Sequence, residues 1–309
     1  MLRISRYFSF LLNAPLFPIV LILLHPPFIV SCNHQTPFQY PSSTMTTIDR
    51  YSPRDGDAVL PLFSLKGRTA IVSGAGAGIG LAVADALAEA GANVVIWYNS
   101  NKKAVERAEA IGKKWGVKTA AYQVDVTSQK AVQEAFNNRL DIFVANAGIP
   151  WTKGAILDAG EEGFDHYRKI IATDLDSVYF SAYAAGLHFR RQGTGSFIAT
   201  ASMSGHITNV PQLQTAYNAA KAAVIHYVKG LAVEWAGFAR ANSVSPGYIA
   251  TEISDFVPKE TKDIWKEKIP LHREGLANEL KGAYLYLASD AATYTTGTDI
   301  IVDGGYVLP

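Results

Sequence analysis

From Leu65 onward, short runs of β-branched and other apolar residues alternate with longer, alanine-rich segments. The runs at 69–73, 93–97, 119–124, 140–145, 196–201, 239–244 and 300–302 predict seven strands. Most are separated by helical patterns. Several runs are apolar at consecutive positions, as in Ile71-Val72 or Ile142-Phe143-Val144, so both faces of the sheet are expected to be covered. Strands that alternate with helices and are buried on both faces imply an α/β protein, a single-domain doubly wound parallel sheet with helices on both faces, here over residues 63–309.

Residues 1–62 follow a different pattern. Arg3 and Arg6 precede an apolar stretch at 7–30, and polar, proline-containing sequence then leads through Met45 to Pro61. A positive flank followed by an apolar run is the pattern of a signal peptide or membrane anchor. Pro15, Pro18, Pro26 and Pro27 weaken it as a continuous helix. The expectation is therefore a start at Met45 and a cytoplasmic protein, with a membrane-anchored or secretory form as the alternative.

Composition narrows the chemistry. The 309 residues are 49% hydrophobic and carry 28 basic and 27 acidic side chains, interspersed, so neither a nucleic-acid partner nor a disordered chain is indicated. The single cysteine, Cys32, lies outside the predicted domain, and the seven histidines show no metal-ligand spacing. Thiol catalysis and metal-dependent chemistry are not expected.

The first strand runs into Ser73-Gly74-Ala75-Gly76-Ala77-Gly78-Ile79-Gly80, with a helix predicted from there to about Ala90 and Gly91 as its stop. Glycines allow a tight turn and close backbone approach, and the helix N-terminus offers amide donors to a pyrophosphate. This strand-turn-helix unit predicts a dinucleotide site. At the end of the second strand an acidic residue would bind both hydroxyls of an NAD ribose. Here the sequence reads Trp97-Tyr98-Asn99-Ser100-Asn101-Lys102-Lys103. The missing carboxylate removes repulsion against a 2′-phosphate, and Asn99, Ser100, Asn101 and Lys102 offer donors or charge, so NADP(H) is the expected cofactor. A solvated loop opening a helix is the alternative role for these residues.

Tyr217 and Lys221 stand four residues apart in a segment, 215–236, that is predicted to be helical, so phenol and ammonium share a face. A neighbouring cation favours phenolate and would lower the tyrosine pKa from its reference of about 10. Alone, the spacing is common in helices for packing reasons. Its place in the chain is less common.

The ordered set Gly74, Gly78 and Gly80, Asp125-Val126, Asn146-Ala147-Gly148, Ser202, Tyr217 and Lys221, Pro246-Gly247 with Thr251, and Asp303-Gly304-Gly305 resembles the short-chain dehydrogenase/reductase family over essentially all of 63–309. The resemblance implies a Rossmann fold. It also implies that Ser202 polarises a carbonyl or alcohol, Tyr217 exchanges the proton, and Lys221 supports the tyrosine and holds the nicotinamide ribose. Gly74, Gly78, Ile79, Gly80, Asn99, Ser100, Lys102, Asp125, Val126, Asn146, Ala147, Gly148, Pro246, Gly247, Ile249 and Thr251 become expected cofactor contacts. Ser204 competes with Ser202, which is preferred for its strand-end position. Where many relatives carry a helix asparagine that maintains a proton-relay water, this chain has Asp174, which accepts hydrogen bonds but, when ionised, donates none. It is kept as a catalytic relay candidate, the alternative being that the backbone carbonyl beside it alone holds the water.

A second departure is length. The stretch from Asp125 to Asn146 is roughly six residues shorter than usual in the family, about 9 Å of helix, and the shortened element is 128–138. In the family this face contributes to oligomer contacts, so a homotetramer is implied but with a weakened contact; a splice-junction difference would explain the same gap.

Further along, the segments Thr200 to Ile207, Asn209 to Gln212, Ala232 to Ala236 and Ser254 to Pro258 resemble fungal NADP-dependent mannitol dehydrogenases and their sorbose and L-xylulose reductase relatives. That resemblance implies a sugar or polyol substrate, reduced or oxidised at C2. His206, Asn209 and Gln212 are candidate donors and acceptors for its hydroxyls, or else solvated loop residues. Residues 252–275 are expected to form a lid with Trp265 as a wall, or a solvated helix pair. Two alternatives stand beside the ketose: a ketoreductase for a non-sugar carbonyl, and a noncatalytic NADP-binding regulator.

Overall fold

The computed structural model describes residues 58–136 and 139–308. The signal, anchor or start expected within residues 1–57 lies outside the described residues. In chain order the regular elements are β1 (Thr69–Val72), α1 (Gly78–Glu89), β2 (Asn93–Tyr98), α2 (Lys103–Trp115), β3 (Thr119–Gln123), α3 (Gln129–Glu134), β4 (Ile142–Ala145), α4 (Gly160–Ile171), a π-helical turn (Ala172–Asp176), α5 (Ser177–Gln192), β5 (Ser196–Thr200), α6 (Thr215–Glu234), β6 (Arg240–Pro246), β7 (Ile249–Ala250), α7 (Lys259–Lys268), β8 (Gly275–Leu276), α8 (Lys281–Ala288) and β9 (Asp299–Val302). All seven predicted strands are present, with no end shifted by more than two residues. The pair β7 and β8 went unpredicted because two residues are too few to show a period.

Seven strands form one parallel sheet in the order β3-β2-β1-β4-β5-β6-β9. Its two-sided burial follows from the pleat, since consecutive residues of a strand point to opposite faces. In β4, Ile142 and Val144 join Val83, Leu87 and Leu287 on one face, while Phe143 and Ala145 join Trp97, Phe197 and Trp235 on the other. Phe143 is fully buried. Burial of such a side chain contributes roughly 1.5–3 kcal/mol, which explains why these runs show no polar alternation.

Sequence order reverses between β1 and β4, because β2 and β3 extend the sheet to one side and β5, β6 and β9 to the other. A crevice opens at the carboxyl ends of strands where the order reverses, and ligands of this architecture bind there. The shortened 128–138 element survives as a helix of six residues, capped by Ser128, whose hydroxyl accepts from the Ala131 amide at 3.3 Å. Phe136 follows it and stacks on Phe143 and His188, with ring centroids 5.4 and 5.6 Å apart. The short helix is therefore anchored to the core.

Candidate active site

The cofactor end is built by close backbone approach. Gly74 has a φ of +63°, and a Cβ there would lie 2.7 Å from Ala147 Cα; a Cβ on Gly80 would lie 2.5 Å from Asn146 Nδ2. Only glycine lets the turn after β1 sit against the end of β4. Asn146 then ties three strands together: its Nδ2 donates to the Ser73 and Gly74 carbonyls at 3.1 and 3.3 Å, and its Oδ1 accepts from Thr200 Oγ1 at 3.1 Å. Helix α1 starts at Gly78 with no side-chain cap, so its first amides face the crevice as donors for an anion. These features fit the pyrophosphate of a dinucleotide.

One cavity of about 950 Å³ joins this turn to the residues of the proton-transfer set. Ser202, Tyr217 and Lys221 line it, as does every expected cofactor contact except Ser100 and Lys102. Those two are exposed. Because α2 begins at Lys103, position 102 caps the helix at its solvent end, whereas Arg107, one turn later, donates to the Gly76 carbonyl. Asn101 Nδ2 donates to the same carbonyl at 3.2 Å. The cation that reaches the glycine turn is thus Arg107, a residue with no sequence signal of its own.

At the reacting end, β5 delivers Ser202 in extended conformation into the one-turn 3₁₀ helix Met203–Gly205. A Cβ on Gly205 would lie 2.6 Å from Ile225 Cδ1 and 2.9 Å from the backbone of α6, so glycine allows this turn to rest on the helix that carries Tyr217. Ser202 stands beside the Tyr217 phenol, near enough to favour its ionised form. Ser204 also lines the cavity, but its hydroxyl accepts from Gln214 Nε2 at 3.2 Å. Lys221 is 3% exposed and its Nζ lies 5.4 Å from the Tyr217 ring centre. The ammonium donates to the Thr200 carbonyl at 3.1 Å and pairs with Asp174 Oδ1, also at 3.1 Å.

Asp174 does not reach the cavity wall. It is completely buried in the π-helical turn between α4 and α5, behind Lys221, and its Oδ2 accepts from the Ile149 amide at 3.1 Å. The sequence suggests a relay member; the contact is with the lysine itself. Burial, more than any neighbouring charge, corrects the expected tyrosine shift. Desolvation raises the phenol pKa, Lys221 and Ser202 pull it down, Asp174 pushes it up, and the net direction is upward. Burial would depress the Lys221 pKa, but the charges of Asp174 and Tyr217 outweigh it and hold the ammonium protonated.

The remaining wall comes from the segment after β6. Tyr248 stacks on Trp265 with ring centroids 3.8 Å apart and planes within 8°, and Asn209 Nδ2 donates to the Tyr248 hydroxyl at 3.1 Å. Trp265, on α7, is buried and lines the cavity as expected, while the charged residues of α7 lie outside it. The ribbon of β7 and β8 joins the two ends of this flap. Of the three polar candidates, Gln212 lines the cavity and Asn209 supports Tyr248 from behind. His206 is removed from it: its Nε2 lies 2.7 Å from Asp299 Oδ2 and ties the turn after β5 to β9. Gln214, Lys169 and Tyr248 line the cavity and were missed, because nothing in their local sequence separates them from ordinary loop and helix residues.

A doubly wound sheet with a glycine turn and a Ser-Tyr-Lys set in its crevice defines an oxidoreductase of the dinucleotide-binding class. Residues 74–307 match the family described as "Enoyl-(Acyl carrier protein) reductase". The L-xylulose reductase of Hypocrea jecorina is 64% identical over 82% of this chain and 94% of its own length. A probable NADP-dependent mannitol dehydrogenase of Yarrowia lipolytica is 52% identical over 86% of this chain and 96% of its own. Among solved structures, the NADPH-dependent 3-quinuclidinone reductase of Rhodotorula rubra superposes with a TM-score of 0.79 at 42% identity, covering 84% of this chain and 98% of its own. The chain belongs to the short-chain dehydrogenase/reductase family and is an enzyme.

Proposed function

We propose that this enzyme interconverts a ketose and a polyol with NADP(H). The observation that carries the proposal is the placement of Ser202, Tyr217 and Lys221 together on the wall of a cavity that runs from the glycine turn to Gln212, Gln214 and Lys169. The names of the sugar-active relatives support the substrate class. NADPH, when bound, supplies the hydride; Gly74 to Gly80, Asn99, Asp125, Val126, Asn146 and Thr251 would hold it. Ser202 orients the substrate carbonyl by donating to its oxygen. Tyr217 passes its proton to that oxygen as the alcohol forms, and Lys221 opposes the phenolate charge left behind. In the reverse direction the phenolate accepts the proton.

The folded enzyme spans residues 63–309 in this proposal and resides in the cytoplasm, where its cofactor is held. Assembly as a homotetramer is supported by exposed aromatic side chains on α4 and α5, among them Phe164, Tyr167, Tyr179 and Tyr183. A non-sugar carbonyl is the second reading. It is favoured by apolar wall residues Met203, Phe256, Val257 and Trp265 and by the bicyclic ketone named for the Rhodotorula enzyme.

The test follows NADPH absorbance with fructose, sorbose, xylulose and ribulose, beside Tyr217→Phe. At least one ketose is expected to turn over, and Tyr217→Phe to lower kcat by about 10²–10⁴-fold. No turnover of any ketose, with turnover of a cyclic ketone, would select the second reading. Equal rates for enzyme and variant would remove Tyr217 from proton transfer.

A further inference from the structure

An isolated ammonium beside a phenol favours the phenolate. Lys221 is not isolated. Asp174 Oδ1 lies 3.1 Å from its Nζ, and the Thr200 carbonyl accepts from the same ammonium on the sheet side. Three features show that the pairing is built into the fold. The π-helical turn Ala172–Asp176, a widened segment of the kind often found at functional sites, carries the carboxylate inward to complete burial. The Ile149 amide fixes the second carboxylate oxygen. Position 148 must be glycine, because a Cβ there would lie 2.6 Å from Asp174 Oδ1 and 3.4 Å from Lys221 Nζ.

We propose that Asp174 is a positioning residue: its carboxylate holds Lys221 against the sheet and cancels part of the ammonium's field at the Tyr217 phenol, which biases the site toward proton donation. The proposal rests on Tyr217 as the proton donor but on no particular substrate. An asparagine side chain in place of Asp174 offers a single accepting oxygen, so it cannot serve both the Ile149 amide and the Lys221 ammonium as the two carboxylate oxygens do. It also carries no charge. In Asp174→Asn the lysine faces the tyrosine without a buried counter-charge, and the phenol ionises more readily. The other groups bearing on the pair are few: His166 on α4 acts on Asp174, and Ser202 on Tyr217. Neither changes in the variant.

The direction of the effect follows from the proton's role. Reduction uses the phenol, so a higher tyrosine pKa extends reduction to higher pH; oxidation uses phenolate, so the same shift delays it. Ketone reduction in the wild type is therefore expected to persist to higher pH than in Asp174→Asn.

The decisive measurement is a ¹³C NMR titration of protein labelled at tyrosine Cζ, comparing wild type with Asp174→Asn and assigning the resonance by its loss in Tyr217→Phe. The Tyr217 midpoint is expected to fall by at least about half a pH unit in Asp174→Asn. Equal midpoints, including the case in which neither protein titrates below about pH 11, or a rise in the variant, would overturn the proposal, whatever happens to thermal stability. No sugar enters this readout, so failure of the ketose assignment and failure of this proposal are separate results. If circular dichroism shows Asp174→Asn unfolded, Asp174→Ser, which removes the charge and leaves room for water, takes its place with the same two outcomes.

Discussion

The two ends of the cavity are made in different ways. At the cofactor end, backbone meets backbone: Gly74 against Ala147, Gly80 against the Gly74 carbonyl, Gly247 against Asp303, each so close that a Cβ would come within 2.6–2.7 Å of its neighbour. At the substrate end, side chain meets side chain, with the Tyr248 ring on Trp265 and Asn209 behind it, and α7 presents charged residues to solvent. Steric contacts of the first kind have no tolerance, since backbone cannot step aside. Contacts of the second kind can be exchanged for others of similar shape. In the proposed reaction the first end would place the cofactor, and the second would set which carbonyl is presented to it. Substitutions at the two ends should therefore fail differently.

The largest effect is expected at Gly80. Any Cβ there meets Asn146 Nδ2 at 2.5 Å and the Gly74 carbonyl at 2.7 Å, so Gly80→Val must open the seam between the glycine turn and β4. NADPH affinity, measured by fluorescence titration, is expected to fall more than about 100-fold, equivalent to roughly 2.7 kcal/mol. A variant that binds NADPH within a few-fold of wild type would show that the backbone seam is not what forms the cofactor end.

The same contrast explains what the sequence discloses. The seven strands were legible because burial on both faces leaves apolar runs, as in Ile142-Phe143-Val144, and the glycine turn because its steric demand admits one residue type. The fold rests on such local signals, whereas the Ser202, Tyr217 and Lys221 set rests on the family resemblance carried by the order of motifs in the chain. What was hidden depends on partners far along the chain. Asp174, the relay candidate, meets Lys221 because the π-helical turn packs on α6. His206 pairs with Asp299 on β9 rather than lining the cavity. Lys102 is suited to a phosphate by position, yet Arg107 is the residue that the start of α2 turns toward Gly76. Charge and hydrogen-bonding capacity are visible in a residue's name; its direction is set by packing.

Trp265 gives the intermediate case. It is 2% exposed and carries the stack of Tyr248, so Trp265→Ala removes a cavity wall rather than a cofactor contact. Replacing a buried tryptophan in a rigid core costs about 3–5 kcal/mol. Here the ends of the flap pair only with each other in β7 and β8, and the flap meets the body at points such as Gly304, which lies beneath Ile269 and accepts from the Leu271 amide at 3.2 Å, so part of that loss is relieved by local movement. Steady-state kinetics are expected to show KM for the accepted ketose raised about 10-fold, with the NADPH dissociation constant within about 2-fold of wild type. A parallel loss of cofactor affinity would mean that the two ends are mechanically one unit, and the comparison would collapse.

The smallest change isolates a single atom. Tyr248→Phe keeps the ring that stacks on Trp265 at 3.8 Å and deletes the hydroxyl that accepts from Asn209 Nδ2. Asn209 is completely buried, and its Oδ1 has no partner among the described residues, so the bond to the hydroxyl is what holds this side-chain amide. A buried donor left without its acceptor costs about 1–3 kcal/mol, with the lower end expected beside a cavity that water can enter. About 1 kcal/mol corresponds to a KM rise of roughly 5-fold if the wall is held in place by this bond. The control is Asn209→Ala in the Tyr248→Phe background: once the hydroxyl is gone, removing the stranded amide should cost little further or restore part of the loss. If the two substitutions instead add independently, Asn209 acts on the substrate end by a route other than Tyr248, and the wall is held by the aromatic stack alone.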